Sequence, residues 1–373
     1  MRILFITNNF PPLVDGVGDY TYNLALEFVR HKHEVVVVCK RDERIDYHIN
    51  GINIFPIVKA WNKQAIQPVI NVIKERQIEV VSLQYVPHGF HPYGLPFALI
   101  GLVRAIRKQG VPLFTFCHEV CTFYGKGVKQ DIISYMMRYI TKKILINSNI
   151  IATSIKYYCE LITILVPDYP SRIEQIPIVS NIPEKINSRE EILSLRNKIA
   201  AKDEIIIAFF GQRNTIVSLE VIERLKRSGH KVKVLFIGKT DDTFTDLSDI
   251  VYKTGVLSID EINPYFLVSD ILVLPEDTYY GCSFKSGSLA AALKNGLPVV
   301  TAKGILTDSS MKDNENIIFV DFLNPLQLEE SLVRLIRFPY IRERIGNAAR
   351  LLVEKYNWET TYISYLDLIN QLS

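Results

Sequence analysis

The chain has 373 residues, 48% of them hydrophobic and 22% charged, with a formal net charge of +3. That balance excludes a disordered chain, and so small a charge without a dense Lys/Arg run gives no case for nucleic acid as a partner. The length exceeds what one hydrophobic core usually organises, so two domains are expected. Five cysteines, Cys39, Cys117, Cys121, Cys159 and Cys282, are scattered and odd in number, which argues against a disulfide framework and for a reducing cytoplasm. MRILFIT reads as a strand without a basic n-region or a small-residue cleavage site, so it is not expected to be a signal peptide. No apolar run reaches the length of a membrane span.

Short apolar runs alternate with helical patterns, the signature of parallel sheets built from βαβ units. In the first half, strands are predicted at Arg2 to Thr7, Glu34 to Cys39, Glu79 to Tyr85, Pro112 to Cys117 and Asn149 to Thr153. Helices are predicted at Val17 to Arg30, Lys63 to Arg76, Phe97 to Lys108 and Ile132 to Leu145. After a strand near Glu174 to Ile178, the polar, proline-containing stretch SNIPEKINSRE reads as a linker. The second half restarts the pattern with strands at Glu204 to Phe210, Lys231 to Ile237, Ile250 to Tyr252, Ile271 to Leu274, Pro298 to Thr301 and Asn316 to Val320. Helices are predicted at Ser218 to Ser228, from about Lys285–Ser288 to Asn295, at Pro325 to Arg337, Ile341 to Lys355 and Glu359 to Leu372. The two halves echo one another in FVRHKHEVVVV and LKRSGHKVKVLFIG.

Ligands of such sheets sit at the carboxyl ends of strands, so the loops after strands carry the information. The strongest is YYGCSFKSGSLAAALKNGLPVV, Tyr279 to Val300. Its turn into a helix holds Ser283, Phe284, Lys285, Ser286, Gly287 and Ser288. Free N–H groups at a helix start favour anions, small residues let a phosphate approach, and a lysine adds charge. This is the pattern of a diphosphate cradle. NNFPPLVDGVGDYT offers Asp15 with Gly16 and Gly18 before a helix, but it is not the G-x-G-x-x-G of a dinucleotide site. LQYVPHGFHPYG carries Gln84, Tyr85 and His88, with His91 and Tyr93, amides and aromatics suited to a sugar or polyol acceptor. TFCHEVCTFYGKG places His118 and Glu119 past a strand, where a histidine can bond a donor sugar or help proton transfer. FFGQRNT places Arg213 after Gly211, in position to clamp a phosphate. Glu276, Asp277 and Asp260 are nearby carboxylates. No Asp-x-Asp occurs, and the His/Cys spacings lack a second pair, so no metal site is expected.

Together these loops resemble the family-four retaining glycosyltransferases of the GT-B fold. PPLVDGVGDYTYNLALEF followed by HEVVVV is similar to that family's opening signature, FCHE to its strand-end histidine, TGVLSIDEINPYFLVSDILVLP with NGLPVVTA to its donor core, and NWETTYISYLDLI to its closing helices. The resemblance implies an α/β protein with two Rossmann-like domains whose parallel sheets face across a cleft. These are an acceptor domain over 1–184, a nucleotide-sugar donor domain over 185–355, and a helix over 356–373 crossing back to the first. It implies that Gly16 approaches the donor diphosphate and His118 the donor sugar. Arg213, Lys285 and Ser286 to Ser288 hold the diphosphate, and the nucleoside packs near Gly255 to Leu257.

The expected activity is retaining, metal-independent transfer of a sugar from a UDP- or GDP-sugar co-substrate to a glycan or lipid-linked acceptor, in cell-surface polysaccharide biosynthesis, with no further cofactor. The chain departs from the family where two glutamates usually stand: those places hold Ser283 and Ala291. A variant branch carries a serine and a basic residue in this loop. The competing reading is a non-catalytic glycan- or nucleotide-binding subunit of a polysaccharide assembly complex. LPFALIGLVRAIRKQG and YMMRYITKKIL mix apolar with basic residues, which allows peripheral contact with the inner face of a membrane.

Overall fold

A computed structural model describes residues 1–122, 125, 127–169, 173–184, 187–211, 213–240 and 249–372. It divides into two compact units, Met1–Pro177 with Trp358–Ser373, and Ile178–Asn357. The first division therefore precedes the expected one at 184/185. The linker expected over SNIPEKINSRE, whose Lys185 and Ile186 lie outside the described residues, falls inside the second unit.

The first unit contains β1 (Arg2–Ile6), α1 (Gly16–Arg30), β2 (Glu34–Lys40), β3 (His48–Ile49), β4 (Ile52–Val58), α2 (Ile66–Glu75), β5 (Val80–Tyr85) and the short α3 (Pro87–Phe90). It continues with α4 (Phe97–Lys108), β6 (Leu113–Cys117), α5 (Val128–Leu145), β7 (Ile150–Thr153), α6 (Lys156–Leu165) and β8 (Glu174–Gln175). Among the described residues its sheet runs β3-β4-β2-β1-β5-β6-β7-β8, parallel except for β3 against β4. The central strands are buried on both faces, which is why they read as unbroken Val/Ile/Phe runs.

Strand β4 was not anticipated. Its sequence, INIFPIV, contains Pro56, and proline demotes a run from strand to loop. The structure accommodates it in two ways. The two-residue β3 pairs only with Ile52 and Asn53. The register to β2 is also irregular between Val38 and Lys40, beside the proline. Helix α6 was missed as well.

The second unit contains α7 (Arg189–Ile199), β9 (Ile205–Phe210), α8 (Ile216–Arg227), β10 (Val232–Ile237), β11 (Val251–Lys253), α9 (Ile259–Val268) and β12 (Ile271–Leu274). It ends with α10 (Gly287–Lys294), β13 (Val299–Thr301), β14 (Ile318–Phe319), α11 (Pro325–Arg337) and α12 (Pro339–Val353). Its sheet, β11-β10-β9-β12-β13-β14, is parallel throughout among the described residues. Helix α7 begins inside the expected linker, where Ser188 and Glu191 form a reciprocal capping box that the polar sequence conceals. Leu328, Leu332 and Ile345 from α11 and α12 close one side of the core against Ile207, Val234 and Val300.

The last helix, α13 (Trp358–Asn370), belongs to the first unit. Tyr365 is fully buried and stacks on Phe114 at a centroid distance of 4.5 Å. Tyr362 meets Phe28 edge-on at 4.9 Å, and its hydroxyl hydrogen-bonds His33 Nε2 at 2.9 Å. Trp358 packs on Tyr20 at 5.2 Å. The helix is thus part of the first unit's core. Truncating Tyr365→Ala leaves a large cavity and should cost about 3 kcal/mol or more, read as a lower urea midpoint. A change within about 0.5 kcal/mol would show that α13 is dispensable to that core.

Candidate functional site

In the second unit, the cradle is built by anchoring the loop before α10 and then letting it open. Residues 281–284 are buried, and 285–288 are only half-buried. Cys282 N–H donates to the Ala302 carbonyl at 2.9 Å, and Thr307 Oγ1 donates to the Cys282 carbonyl at 2.9 Å. Ile178 N–H donates to the Phe284 carbonyl at 2.9 Å, while the Phe284 ring meets Tyr356 at 5.7 Å. The loop also depends on two facing glycines. A Cβ on Gly304 would lie 2.3 Å from the Tyr280 carbonyl carbon, and one on Gly281 would lie 2.1 Å from Gly304 N.

Ser286 is the N-cap of α10, and its hydroxyl accepts from Leu289 N–H at 3.3 Å. The N–H groups of Gly287 and Ser288 begin the helix, where no intrahelical acceptor exists. Space beside Gly287 is open: a Cβ there would meet nothing within 4 Å. Lys285 is half-buried immediately before the cap.

Strand β9 delivers the second part. Gly211 turns the chain at φ +81°, and Arg213 follows; Gln212 lies outside the described residues. Arg213 Nη1 donates to the Phe210 carbonyl at 2.7 Å, and its Nε and Nη2 reach Glu276 Oε1 at 3.3 and 3.1 Å. A Cβ on Gly211 would lie 2.9 Å from Arg213 Nη1 and 3.6 Å from Ser288 Oγ. The arginine and the start of α10 therefore meet at one glycine. Sequence reading brought these two loops together, but it did not pair Arg213 with Glu276. Adjacent strands β9 and β12 make that pair, and strand order is not legible locally.

Gly255 is exposed at φ +72° and bridges Gly238, with Leu257 half-buried beyond it. Two of the residues expected at the donor are buried. Phe284 is a buried anchor, and Ser283 is buried with its hydroxyl lacking a hydrogen-bond partner. Ala291, at the other family-glutamate place, is wholly buried on the inner face of α10.

In the first unit, Asp15 caps α1: one oxygen accepts from Gly18 N–H at 2.7 Å, the other from Asn9 Nδ2 at 3.1 Å. Gly16 is exposed with open space beside it, as close approach requires. Gly18 is needed for packing instead, since a Cβ there would lie 2.8 Å from the Asn9 carbonyl oxygen. Asp19, not singled out from the sequence, has its carboxyl pushed up to about 6 by burial and by neighbouring Asp15.

His118 N–H donates to the Tyr85 carbonyl at 2.9 Å, and its ring lies edge-on to Tyr20 and Phe116. His118 Nε2 and Gln84 Oε1 are 2.9 Å apart, and the Gln84 amide donates to Ser82 Oγ at 2.8 Å. Gln84, expected at the acceptor, is instead a buried support for His118. Tyr85 is likewise fully buried, hydrogen-bonded to Thr141 Oγ1 at 2.9 Å. Strand β5 is covered on both faces, so its last residues point into packing. His88 stays exposed on α3 and Glu119 half-buried; Phe123, Tyr124 and Lys126 of the third loop lie outside the described residues.

Among the described residues, one group has metal-like geometry, Glu27, His31 and Glu359, with ligand atoms within 4.8 Å of one another. Arg30 already pairs with Glu27, and His31 with Glu359. None of the three was anticipated as a ligand.

Residues 14–177 match the family model Glycosyltransferase Family 4. This segment is similar to the family 4 glycosyltransferases. The matched segment ends where the first unit's continuous stretch ends, at Pro177. No curated protein matches the chain by sequence. Solved structures share its architecture over essentially its whole length. Sucrose-phosphate synthase from Thermosynechococcus elongatus has a TM-score of 0.72 at 15% identity, covering 100% of this chain and 98% of that one. Anabaena HepE in complex with UDP-glucose has a TM-score of 0.71 at 12% identity, covering 100% of both. WaaG, a glycosyltransferase involved in lipopolysaccharide biosynthesis, has a TM-score of 0.66 at 17% identity, covering 98% of this chain and 99% of that one. The fold is GT-B, and the matched segment lies in its first unit.

Burial pulls the His118 imidazole down from 6.5 to about 3, so it stays neutral at physiological pH. The unfolded chain takes up this proton near 6.5 and the folded one only near 3, so the histidine's contribution is complete above 6.5 and is lost as pH falls through that interval. His118→Gln should therefore show a shallower loss of stability on acidification than the parent, followed by urea titrations from about pH 7 to pH 4. Parallel curves would mean that His118 protonates freely in the fold.

Proposed function

We propose that this chain transfers a sugar, with retention at the anomeric carbon, from a UDP- or GDP-sugar to a glycan or lipid-linked acceptor in cell-surface polysaccharide biosynthesis. The carrying observation is the meeting of Arg213 with the N-terminus of α10 at Gly211, flanked by Lys285. A guanidinium, an ammonium and two unpaired helix N–H groups suit a diphosphate. The family 4 match and the UDP-glucose bound to the similarly folded HepE support the nucleotide-sugar class.

Chemistry of this kind asks the protein for positioning and leaving-group stabilisation, not for a nucleophile. As the glycosidic bond to the diphosphate breaks, negative charge grows on the bridging and terminal oxygens. Lys285, Arg213 and the α10 dipole offset it. The departing diphosphate takes the proton of the incoming hydroxyl on the same face. No divalent ion is needed in this scheme, and the sequence has no Asp-x-Asp to hold one. His118, neutral and fixed by Gln84, serves as a hydrogen-bond partner for the donor sugar, not as an acid. Gly16 and the Gly255–Leu257 loop fall to the donor diphosphate and nucleoside, and His88 and Glu119 to the acceptor. The site works in the cytoplasm, where nucleotide-sugars are the expected co-substrates.

One observation favours the alternative, a non-catalytic nucleotide- or glycan-binding subunit. Ser283 and Ala291 are both buried, so nothing at the two family-glutamate places reaches a ligand. The two readings separate in a thermal-shift screen of UDP-, GDP-, ADP- and dTDP-sugars with and without magnesium, followed by product analysis. The proposal expects one donor to raise the melting temperature independently of metal and to be turned over with an acceptor extract. Stabilisation without transfer or hydrolysis would install the binding reading, and no shift with any donor would remove both. Lys285→Ala should lower turnover about 100-fold or more while the fold melts normally, because developing phosphate charge loses a cation. Near-normal turnover would dismiss Lys285 from the site.

A further inference from the structure

The last turn of α1 and the first turn of α13 bring three ligand-type side chains together. Glu27 and His31 lie four residues apart, and the His31 N–H donates to the Glu27 carbonyl at 3.0 Å, so the two side chains leave one face of α1. Glu359 comes from the first turn of α13. One ligand atom from each of the three lies within 4.8 Å of the others, and His31 Nε2 is 3.0 Å from Glu359 Oε2. The His31 ring stacks on Tyr362 at a centroid distance of 4.1 Å and an interplanar angle of 10°, which fixes the direction of its nitrogens. His33 stands apart from the group. Its Nδ1 is 3.2 Å from the Met1 amino nitrogen, and its Nε2 is 2.9 Å from the Tyr362 hydroxyl.

Ion pairing alone accounts poorly for this group. Glu27 is 5% exposed, and a carboxylate so buried needs a strong counter-charge. Its cation is Arg30, whose side chain is 68% exposed, so that solvent screens much of its charge. The two pairs engage Glu27 Oε1 and Glu359 Oε2, and each carboxylate has a second oxygen. Two carboxylates and a neutral imidazole carry two negative charges against one arginine. Carboxylate oxygens with an imidazole nitrogen form a mixed oxygen and nitrogen donor set, and His31 and Glu359 are exposed, so water can fill a fourth position. That set suits Zn2+ in tetrahedral geometry. Mg2+ requires an octahedron of oxygens and is poorly served by it.

We propose that Glu27, His31 and Glu359 bind a zinc ion that staples α13 to α1. The ion takes one oxygen from each carboxylate and a ring nitrogen from His31, with water completing the tetrahedron. Arg30, already mostly in solvent, gives up its hold on Glu27 at small cost. His31 and Glu359 are 328 positions apart in sequence, so the ion closes a very long loop and its binding energy adds to the docking of α13. The role is structural. All three ligands belong to the first unit, whereas the diphosphate cradle is built by the second, so the ion has no part in the transfer chemistry.

Metal titration of the full chain, first stripped with a chelator, tests this without a sugar donor, so its outcome is independent of the transferase reading. Zn2+ should bind stoichiometrically and raise the melting temperature by at least about 2 °C at saturation, and Mg2+ should not. Co2+, used as a coloured probe of the same site, should show the strong visible absorption of a four-coordinate ion. His31→Gln and Glu359→Gln, both at exposed positions, should melt close to the metal-free parent and bind Zn2+ at least about tenfold more weakly. His48→Gln removes an exposed histidine outside the group and should bind as the parent does. Absence of any Zn2+-dependent shift in the parent overturns the proposal. A shift that both ligand variants retain also overturns it, because the ion would then sit on cysteines or other histidines. An equal shift with Mg2+ would remove His31 as a ligand and with it the staple.

Discussion

A strand in an all-parallel neighbourhood must return by a crossover, and both faces of its sheet must be covered. Much of the molecule follows from that constraint. It makes the central strands apolar throughout and sends the helices to the faces. It also gathers the informative turns at the carboxyl ends of β1, β5 and β6 in one unit and β9 and β12 in the other. At those ends the chain leaves the sheet with unpaired backbone groups, and glycines, caps and charged side chains collect there. The cradle at α10 is one such exit, and the His118 turn is another.

The same constraint sets what was legible. Strands such as Ile271–Leu274 and helices such as Phe97–Lys108 and Pro325–Arg337 could be read to the residue, because burial on both faces or on one stripe leaves an unmixed periodic signal. Strand β4 escaped because a proline interrupts it, and α7 because its capping box has the polar composition of a linker. In the site, residue types were legible but directions were not. Gln84 and Tyr85 end a strand in positions that look exposed, yet helices on both faces absorb them. Arg213 was found because it follows a strand, but its partner Glu276 sits 63 positions away and becomes adjacent only through sheet order. Ser283 and Phe284 read like their neighbours Lys285 and Ser286, and only the pinning of the loop by Gly281 and Gly304 separates anchor from mouth.

The pairing of Arg213 with Glu276 has two effects on the cradle. It holds the guanidinium in a half-buried position, which would reduce the entropy lost on binding the proposed diphosphate. It also neutralises part of the charge, so an incoming anion competes with a carboxylate. Lys285 and the helix start then carry more of the attraction. His118 follows the opposite strategy: burial keeps it uncharged, so it contributes direction and no field.

The first unit is discontinuous, because α13 completes it after the whole second unit has passed. During synthesis the second unit can assemble from a contiguous stretch as soon as it emerges. The N-terminal sheet must wait, with Phe114, Phe116 and the Gln84 amide uncovered, until Tyr365 leaves the ribosome. The order of maturation therefore reverses the order of the chain. Loss of α13 would damage the part of the protein that was made first.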